Sequence, residues 1–338
     1  MQPPLSPLDR WIRFLDRSPV ARTSFYLGLP AALIAALHLS AWTCGAIPFG
    51  ALHLQLTGVA VLGTLCIGAI HYTDHVAGRA AARFRPALQH DPSLFDEAVH
   101  TLTTVPVALM AVAIAAGVVL TVTATLSDPT FFGTIRAGAC QQWLVLSAGW
   151  FNSTMIILAT IVSVRDLALI RRLHAAAPVI NLFERSPLFA FSTLSSRIAL
   201  LFAILSYGFI LVFPTSMANP ATKFYLLGIN TPLMLIIFVY PLYGMHLRMA
   251  EEKGRLLADS ARRIESALAT LHQAASAPPV GGLDPHRRLT SLIEEESYLH
   301  KIPTWPWEPG TLTAVLTAVF LPLMLVIAQQ VVRRILGG

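Results

Sequence analysis

The sequence predicts an all-α, polytopic membrane protein with about seven transmembrane helices and a cytoplasmic helical hairpin. Three observations predict it. Of 338 residues, 55% are apolar and only 12% charged, about half the charge of a soluble chain, which carries roughly 25%. The uncharged residues fall in tracts long enough to cross hydrocarbon, where charge is costly. Lysines and arginines gather on alternate connections, as the positive-inside rule requires.

The tracts define the spans. Between Arg22 and Asp74 lie 51 residues without Lys, Arg, Asp or Glu, room for two crossings of about 20 residues and a turn. Gly45, Pro48 and Gly50 suit that turn. Five shorter tracts follow, each holding one crossing. The expected spans are 24–44, 53–73, 104–126, 143–164, 197–216, 225–246 and 311–332. With a cytoplasmic N-terminus, the inner segments hold 4, 3, 5 and 8 Lys and Arg residues. Outside fall Arg136 and Lys223, plus Arg333 and Arg334 if the last segment crosses. This bias sets the N-terminus inside and suggests a bacterial inner membrane. Pro322 allows a kink in the last segment. The first apolar run is too long for a cleaved signal peptide and is followed at once by another.

Four regions follow from this layout. Residues 1–23 form an amphipathic helix on the inner interface, with Trp11, Ile12, Phe14 and Leu15 against Arg10, Arg13 and Arg17. Residues 24–246 hold six spans with interfacial inner loops, and Asp91 before Pro92 starts a helix in one of them. Residues 247–302 form the hairpin. Its first helix continues the sixth span, with Leu257, Ala261, Ile264, Leu268 and Leu271 spaced 4, 3, 4, 3. That is a coiled-coil seam, which could pair within or between chains. "ASAPPVGGL" breaks it, and Asp284-Pro285 starts the return helix. Residues 303–338 hold a rigid elbow and the last span. Pro303 stops the return helix, and Trp305 and Trp307, either side of Pro306, fall where indoles favour the interface. The elbow is an interfacial anchor or, in a sharper reading, a gate lever.

Several groups could carry chemistry. No span centre holds an acid, lysine or arginine, which argues against proton-coupled pumps. Lys223, Lys253 and Lys301 all fall in loops, which removes retinal chemistry. Neutral polar groups remain: Asn152, Ser153 and Thr154; Asn230 and Thr231; Gln329 and Gln330; and Thr121, Thr123 and Thr125. They are helix–helix glue or the lining of a pore, which would be anion-tolerant or unselective. His71, Asp74 and His75 share one helix face and could ligate a metal ion, or simply bond at a helix end. Glu294, Glu295 and Glu296 could pair with Arg262 and Arg263 or stay solvated. Cys44 and Cys140 fall on the same outer side and could form a disulfide, although two unlinked small residues is the plainer reading. Cys66 reads as packing. No nucleotide loop, nucleophile elbow or kinase signature appears, and no cofactor is implied beyond that metal. The net charge of +6 fits the inner leaflet, not nucleic acid.

These features lead to an oligomeric channel or pore gated through the hairpin. The alternatives are a non-conducting signalling or scaffold protein whose hairpin docks a soluble partner, and an intramembrane metal enzyme built on the His71 cluster. The expected partners are the bilayer, further copies of the chain and a cytoplasmic protein.

Overall fold

A computed structural model describes residues 6–88, 92–127, 139–176, 181–183, 185–213, 224–275, 285–308 and 310–336. Among them there is no strand. Six helices are long and apolar enough to cross a membrane: Pro19–Thr43, Leu54–Phe84, Phe95–Leu126, Gln142–Ala175, Ala190–Val212 and Gly228–Gln273. The expected seventh segment is helical over Thr311–Leu336, but its described apolar stretch, Thr311–Leu321, is shorter than these six.

Local chemistry sets the boundaries. Helix α1, Pro7–Asp16, begins with a capping box: Asp9 N–H donates to Ser6 Oγ at 3.1 Å and Ser6 N–H to Asp9 Oδ2 at 3.2 Å. Pro7 occupies the first turn, where no amide donor is missed. Helix α2, Pro19–Thr43, repeats the device, with Ser18 accepting from Ala21 N–H at 3.3 Å. Gly45 and Gly50, with φ of 67° and 81°, turn the chain in the left-handed region, where a Cβ is unfavourable. Helix α3, Leu54–Phe84, is the central span. Two thirds of its most apolar window is buried, against 17% for α2.

Helices α4 (Pro92–Leu102) and α5 (Val107–Ser127) are separated by a short break at Thr103–Pro106. Helix α6, Ala139–Ala176, packs on both α3 and α5. After the short α7, Arg185–Leu188, comes α8, Ala190–Val212, which packs along α3. A π-helical segment, Phe224–Asn230, leads into α9, Thr231–Ala275. This helix of 45 residues runs about 68 Å at 1.5 Å per residue. Helix α10, Pro285–Lys301, returns along α9, and α11, Thr311–Leu336, completes the chain.

Small residues allow close approach, as in other membrane bundles. A Cβ on Gly58 would sit 2.2 Å from Val212 Cγ2, and one on Gly117 would sit 2.3 Å from Thr154 Oγ1. The largest apolar cluster lies where α3, α6, α8 and α9 meet, around the fully buried Phe84, Phe191 and Phe238. Helix α1 differs from the expected surface-lying helix. Ile12 and Leu15 turn into the bundle, and Ile12 joins Ile70, Val105, Leu158 and Val162. Only Trp11 and Phe14 of its apolar side chains remain exposed.

Candidate functional site

The neutral polar residues proposed to line a pore do not converge on one lumen. Asn152 Nδ2 donates to the Val59 carbonyl at 2.6 Å and ties α6 to α3. Thr121 donates to Ser153 Oγ at 3.1 Å and ties α5 to α6, beside the buried Thr154. Asn230 Nδ2 donates to Ser206 Oγ at 2.5 Å and ties the start of α9 to α8, with Thr231 buried next to it. Thr123 and Thr125 bond back to carbonyls of their own helix. The cross-helix bonds of Asn152, Thr121 and Asn230 thus join separate helix pairs, as amides and hydroxyls in membranes commonly do, while Thr123 and Thr125 stay on their own helix and Thr154 Oγ1 is buried without a hydrogen-bond partner. Gln329 and Gln330 lie on α11; their side chains are outside the described set.

A polar junction closes the end of the bundle that carries Asp74. The break between α4 and α5 exposes backbone groups that need partners. Asp9 accepts from Val105 N–H at 3.0 and 3.2 Å, and Arg165 donates to the Thr104 carbonyl at 2.5 Å. The same guanidinium holds Asp166 Oδ1 through Nε at 3.2 Å and Nη2 at 2.9 Å. His71 sits between Asp16 Oδ1 at 2.9 Å and the Tyr26 hydroxyl at 2.8 Å. A carboxylate only accepts, so Nε2–H faces Asp16 and, in the neutral ring, Nδ1 accepts from Tyr26.

Both ring nitrogens of His71 are therefore taken by protein groups, and His75 is exposed. Among the described residues, no three His, Cys, Asp or Glu side chains gather as a metal site would need. The cluster lies inside α3, which runs on to Phe84, and His71 ties that helix to Asp16 of α1 and Tyr26 of α2. The sequence signalled His71 and Asp74. It also carried unread signals: Arg165 and Asp166 fall just past a span end, and Asp9 and Asp16 are two helical turns apart on one face.

The elbow is built into α9. Trp305 stacks on His246 at 3.9 Å and on Trp307 at 4.4 Å, and Trp307 stacks on the buried Phe238 at 5.5 Å. His246 Nδ1 donates to the Thr304 carbonyl at 3.1 Å. Pro306 is buried and Pro303 exposed. The indoles thus face a protein helix as a four-ring ladder.

The same helix is gripped from its other sides. Lys253 Nζ donates to the His300 and Ile302 carbonyls, both at 2.8 Å, and so caps α10. Arg263 lies 3.7 Å from Glu295. Buried His174 on α6 bonds the Pro241 carbonyl at 3.3 Å, Arg248 donates to the His174 carbonyl, and Arg171 donates to the Tyr240 hydroxyl.

The expected seam is shifted by one position at alternate steps. Leu257, Ile264 and Leu271 are half-buried, but Ser260 and Ala267 are the buried positions between them, while Ala261 and Leu268 are exposed. The face turned to α10 accordingly runs 257, 260, 264, 267, 271.

At the opposite end, Cys44 and Cys140 are joined in a disulfide, with their Cα atoms 6.0 Å apart. Trp42 donates to the Ala51 carbonyl at 2.9 Å and packs against Phe49. Buried His38 donates from Nδ1 to the Ile34 carbonyl at 2.8 Å and accepts His53 N–H at Nε2 at 3.0 Å. Burial, and then the neighbouring His38, holds the His53 imidazole below its usual range. Phe49, Leu52, Leu54 and Trp143 are strongly exposed around this corner. Cys66 is a buried free thiol.

Comparison with family models, with curated proteins and with solved structures finds no match. Function therefore rests on the geometry alone.

Proposed function

We propose that the chain is a seven-span membrane transducer, with its N-terminus and the α9–α10 hairpin in the cytoplasm and the disulfide outside. In this reading the hairpin docks a soluble partner and carries the resulting force into the span bundle. The carrying observation is the ring ladder Phe238–Trp307–Trp305–His246. It fixes the re-entry of α11 to the same unbroken helix that forms the hairpin, so hairpin, elbow and last span move with one rod. Pro241 supplies a place for the rod to flex, because its missing N–H leaves the Ile237 carbonyl without a helical donor. The elbow is thus a lever, as the sharper sequence reading had it, acting on a span bundle rather than on a gate.

A non-conducting transducer fits better than a pore within one chain, because Asn152, Thr121 and Asn230 spend their polar groups on neighbouring helices at separate places. Exposed Leu268 and Ile293 are the hairpin's apolar contacts for a partner. Two measurements test the reading. Purified protein in planar bilayers should show no single-channel conductance, with or without the hairpin. A defined soluble protein should co-purify with the native membrane protein, and the double variant Leu268→Asp, Ile293→Asp should release it while the spans stay folded. Reproducible conductance would restore the channel, with its pore between copies of the chain.

A further inference from the structure

Helix α1 sorts its charges between two sides. At about 100° per residue, Arg13, Arg17, Arg10, Phe14 and Trp11 fill one side in that order. Arg17 belongs with them because the C-cap keeps helical φ and ψ of −70° and −24°. Leu15, Ile12, Asp16 and Asp9 fill the other side. Each group on that second side is engaged by the bundle. Asp9 accepts from Val105 N–H, Asp16 from His71, and Ile12 and Leu15 are buried.

The first side has no protein partner for its charges. Arg10, Arg13 and Arg17 are exposed and make no hydrogen bond or ion pair among the described residues. Steps of three and four positions set them side by side, where like charges weaken a helix. Counting Asp9 and Asp16 as charged, residues 6–22 hold four arginines, Arg22 included, against two aspartates, a net charge of +2. Both acids point away from the arginines, so the field on the outer side is positive.

Aromatic rings extend this side toward the first span. Phe14 packs on Trp11 at 5.5 Å, and Trp11 meets Phe25 of α2 edge-on at 5.4 Å. Most of the apolar window of α2 lies at the surface, so the row of rings runs from the arginines onto a lipid-facing span. Cations at one end and apolar rings at the other fit a molecule with an anionic head and apolar tails. A free phosphate or an acidic peptide would leave the rings unused.

We propose that the outer side of α1 binds an anionic phospholipid, with its phosphate among Arg10, Arg13 and Arg17 and its acyl chains against Trp11, Phe14 and Phe25. Guanidinium groups fork onto phosphate oxygens, and indoles favour the depth where head meets tail. The inner side of the same helix carries Asp9 and Asp16. A bound lipid therefore holds α1 on the bundle and couples lipid composition to the break at Thr103–Pro106. This site rests on the reading that the spans cross a bilayer, and not on the transducer role of the hairpin.

The test is tryptophan fluorescence of the full chain in nanodiscs, quenched by lipids brominated on their acyl chains. Brominated phosphatidylglycerol is compared with brominated phosphatidylcholine at equal mole fraction. The Trp11 signal is the difference between wild type and Trp11→Phe. Phosphatidylglycerol should quench Trp11 more strongly, with a preference of about fivefold per engaged arginine. Trp143, exposed at the Cys44 end and read in the same way through Trp143→Phe, should show no such preference. The triple variant Arg10→Gln, Arg13→Gln, Arg17→Gln should abolish the preference at Trp11. The corresponding triple lysine variant keeps the charge, loses the fork and should retain the preference in part. If the glutamine variant does not fold, the wild type decides, because its preference should fall as salt is raised. Failure of both lipids to quench either indole would remove the spans and the site together. Equal quenching of Trp11 by the two lipids, or a preference that survives the glutamine variant, would overturn the lipid site alone. Displacement of phosphatidylglycerol by inorganic phosphate would make this a free-anion site and overturn the proposal as well.

Discussion

The two ends of the bundle are held by opposite means. At the Cys44 end, a covalent bond ties the end of α2 to the start of α6, and an indole on a backbone carbonyl and a histidine accepting a backbone N–H close the connection between α2 and α3. At the Asp74 end, three carboxylates, an arginine and a histidine join α1, α3, α6 and the break between α4 and α5 through side-chain hydrogen bonds. A disulfide tolerates changes in medium short of reduction. A network of buried charges is settled only when every member has its partner. The difference separates a fixed end from an adjustable one.

Cutting the covalent end should cost most. Cys44→Ser with Cys140→Ser opens a loop with a sequence separation of 96, for which chain entropy predicts about 4 kcal/mol. Reduced wild type should unfold like that variant and oxidised wild type well above it, because buried Cys66 is the only other cysteine in the chain. Next comes the adjustable end. Asp9→Ala leaves the Ser6 cap in place but removes the acceptor of both Ser6 N–H and Val105 N–H, for about 2–4 kcal/mol. Limited proteolysis should then cut near residue 17 before the spans unfold; a protected N-terminus would show that α1 is held by Ile12 and Leu15 instead. Trp305→Ala should cost about 1–2 kcal/mol in stacking and packing. It should also raise the mobility of a spin label on α11 without raising that of one on α3.

The smallest effect is the pH response of the Cys44 end. Burial holds the His53 imidazole below its usual range, so the folded state binds its proton less readily than the unfolded chain. Stability should therefore fall as pH drops below about 6.5 and level off beneath the folded pKa. The slope should flatten in His53→Gln when melting is compared between pH 8 and pH 5. An unchanged slope would mean that the response belongs to other groups.

The spans were readable because charge is excluded from hydrocarbon one residue at a time, so the gap from Arg22 to Asp74 announces two helices without any knowledge of packing. Partnerships were not readable. Asn152 is visibly polar in a greasy helix, yet nothing in its neighbourhood names the Val59 carbonyl, 93 positions away. Nothing near Asp9 in the sequence marks it as an acceptor; that role appears only when Val105, 96 positions on, arrives beside it. The seam failed by a single step for a related reason. The 4–3 spacing of apolar residues picks Ala261 and Leu268, whereas the buried positions between Leu257, Ile264 and Leu271 are Ser260 and Ala267. The elbow tryptophans were placed correctly in sequence, but general amphipathicity assigns them to lipid, while His246 and Phe238 offer a flat partner that no local rule detects.

The bond between Cys44 and Cys140 also imposes an order on biogenesis. Its second half is synthesised 96 positions after the first, after the whole of α2 and α3. Until an oxidant reaches both sulfurs, the nascent bundle must keep its early helices in register through noncovalent contacts alone. A cell lacking thiol oxidation in that compartment would accumulate a full-length but immature polypeptide, open to quality-control proteases.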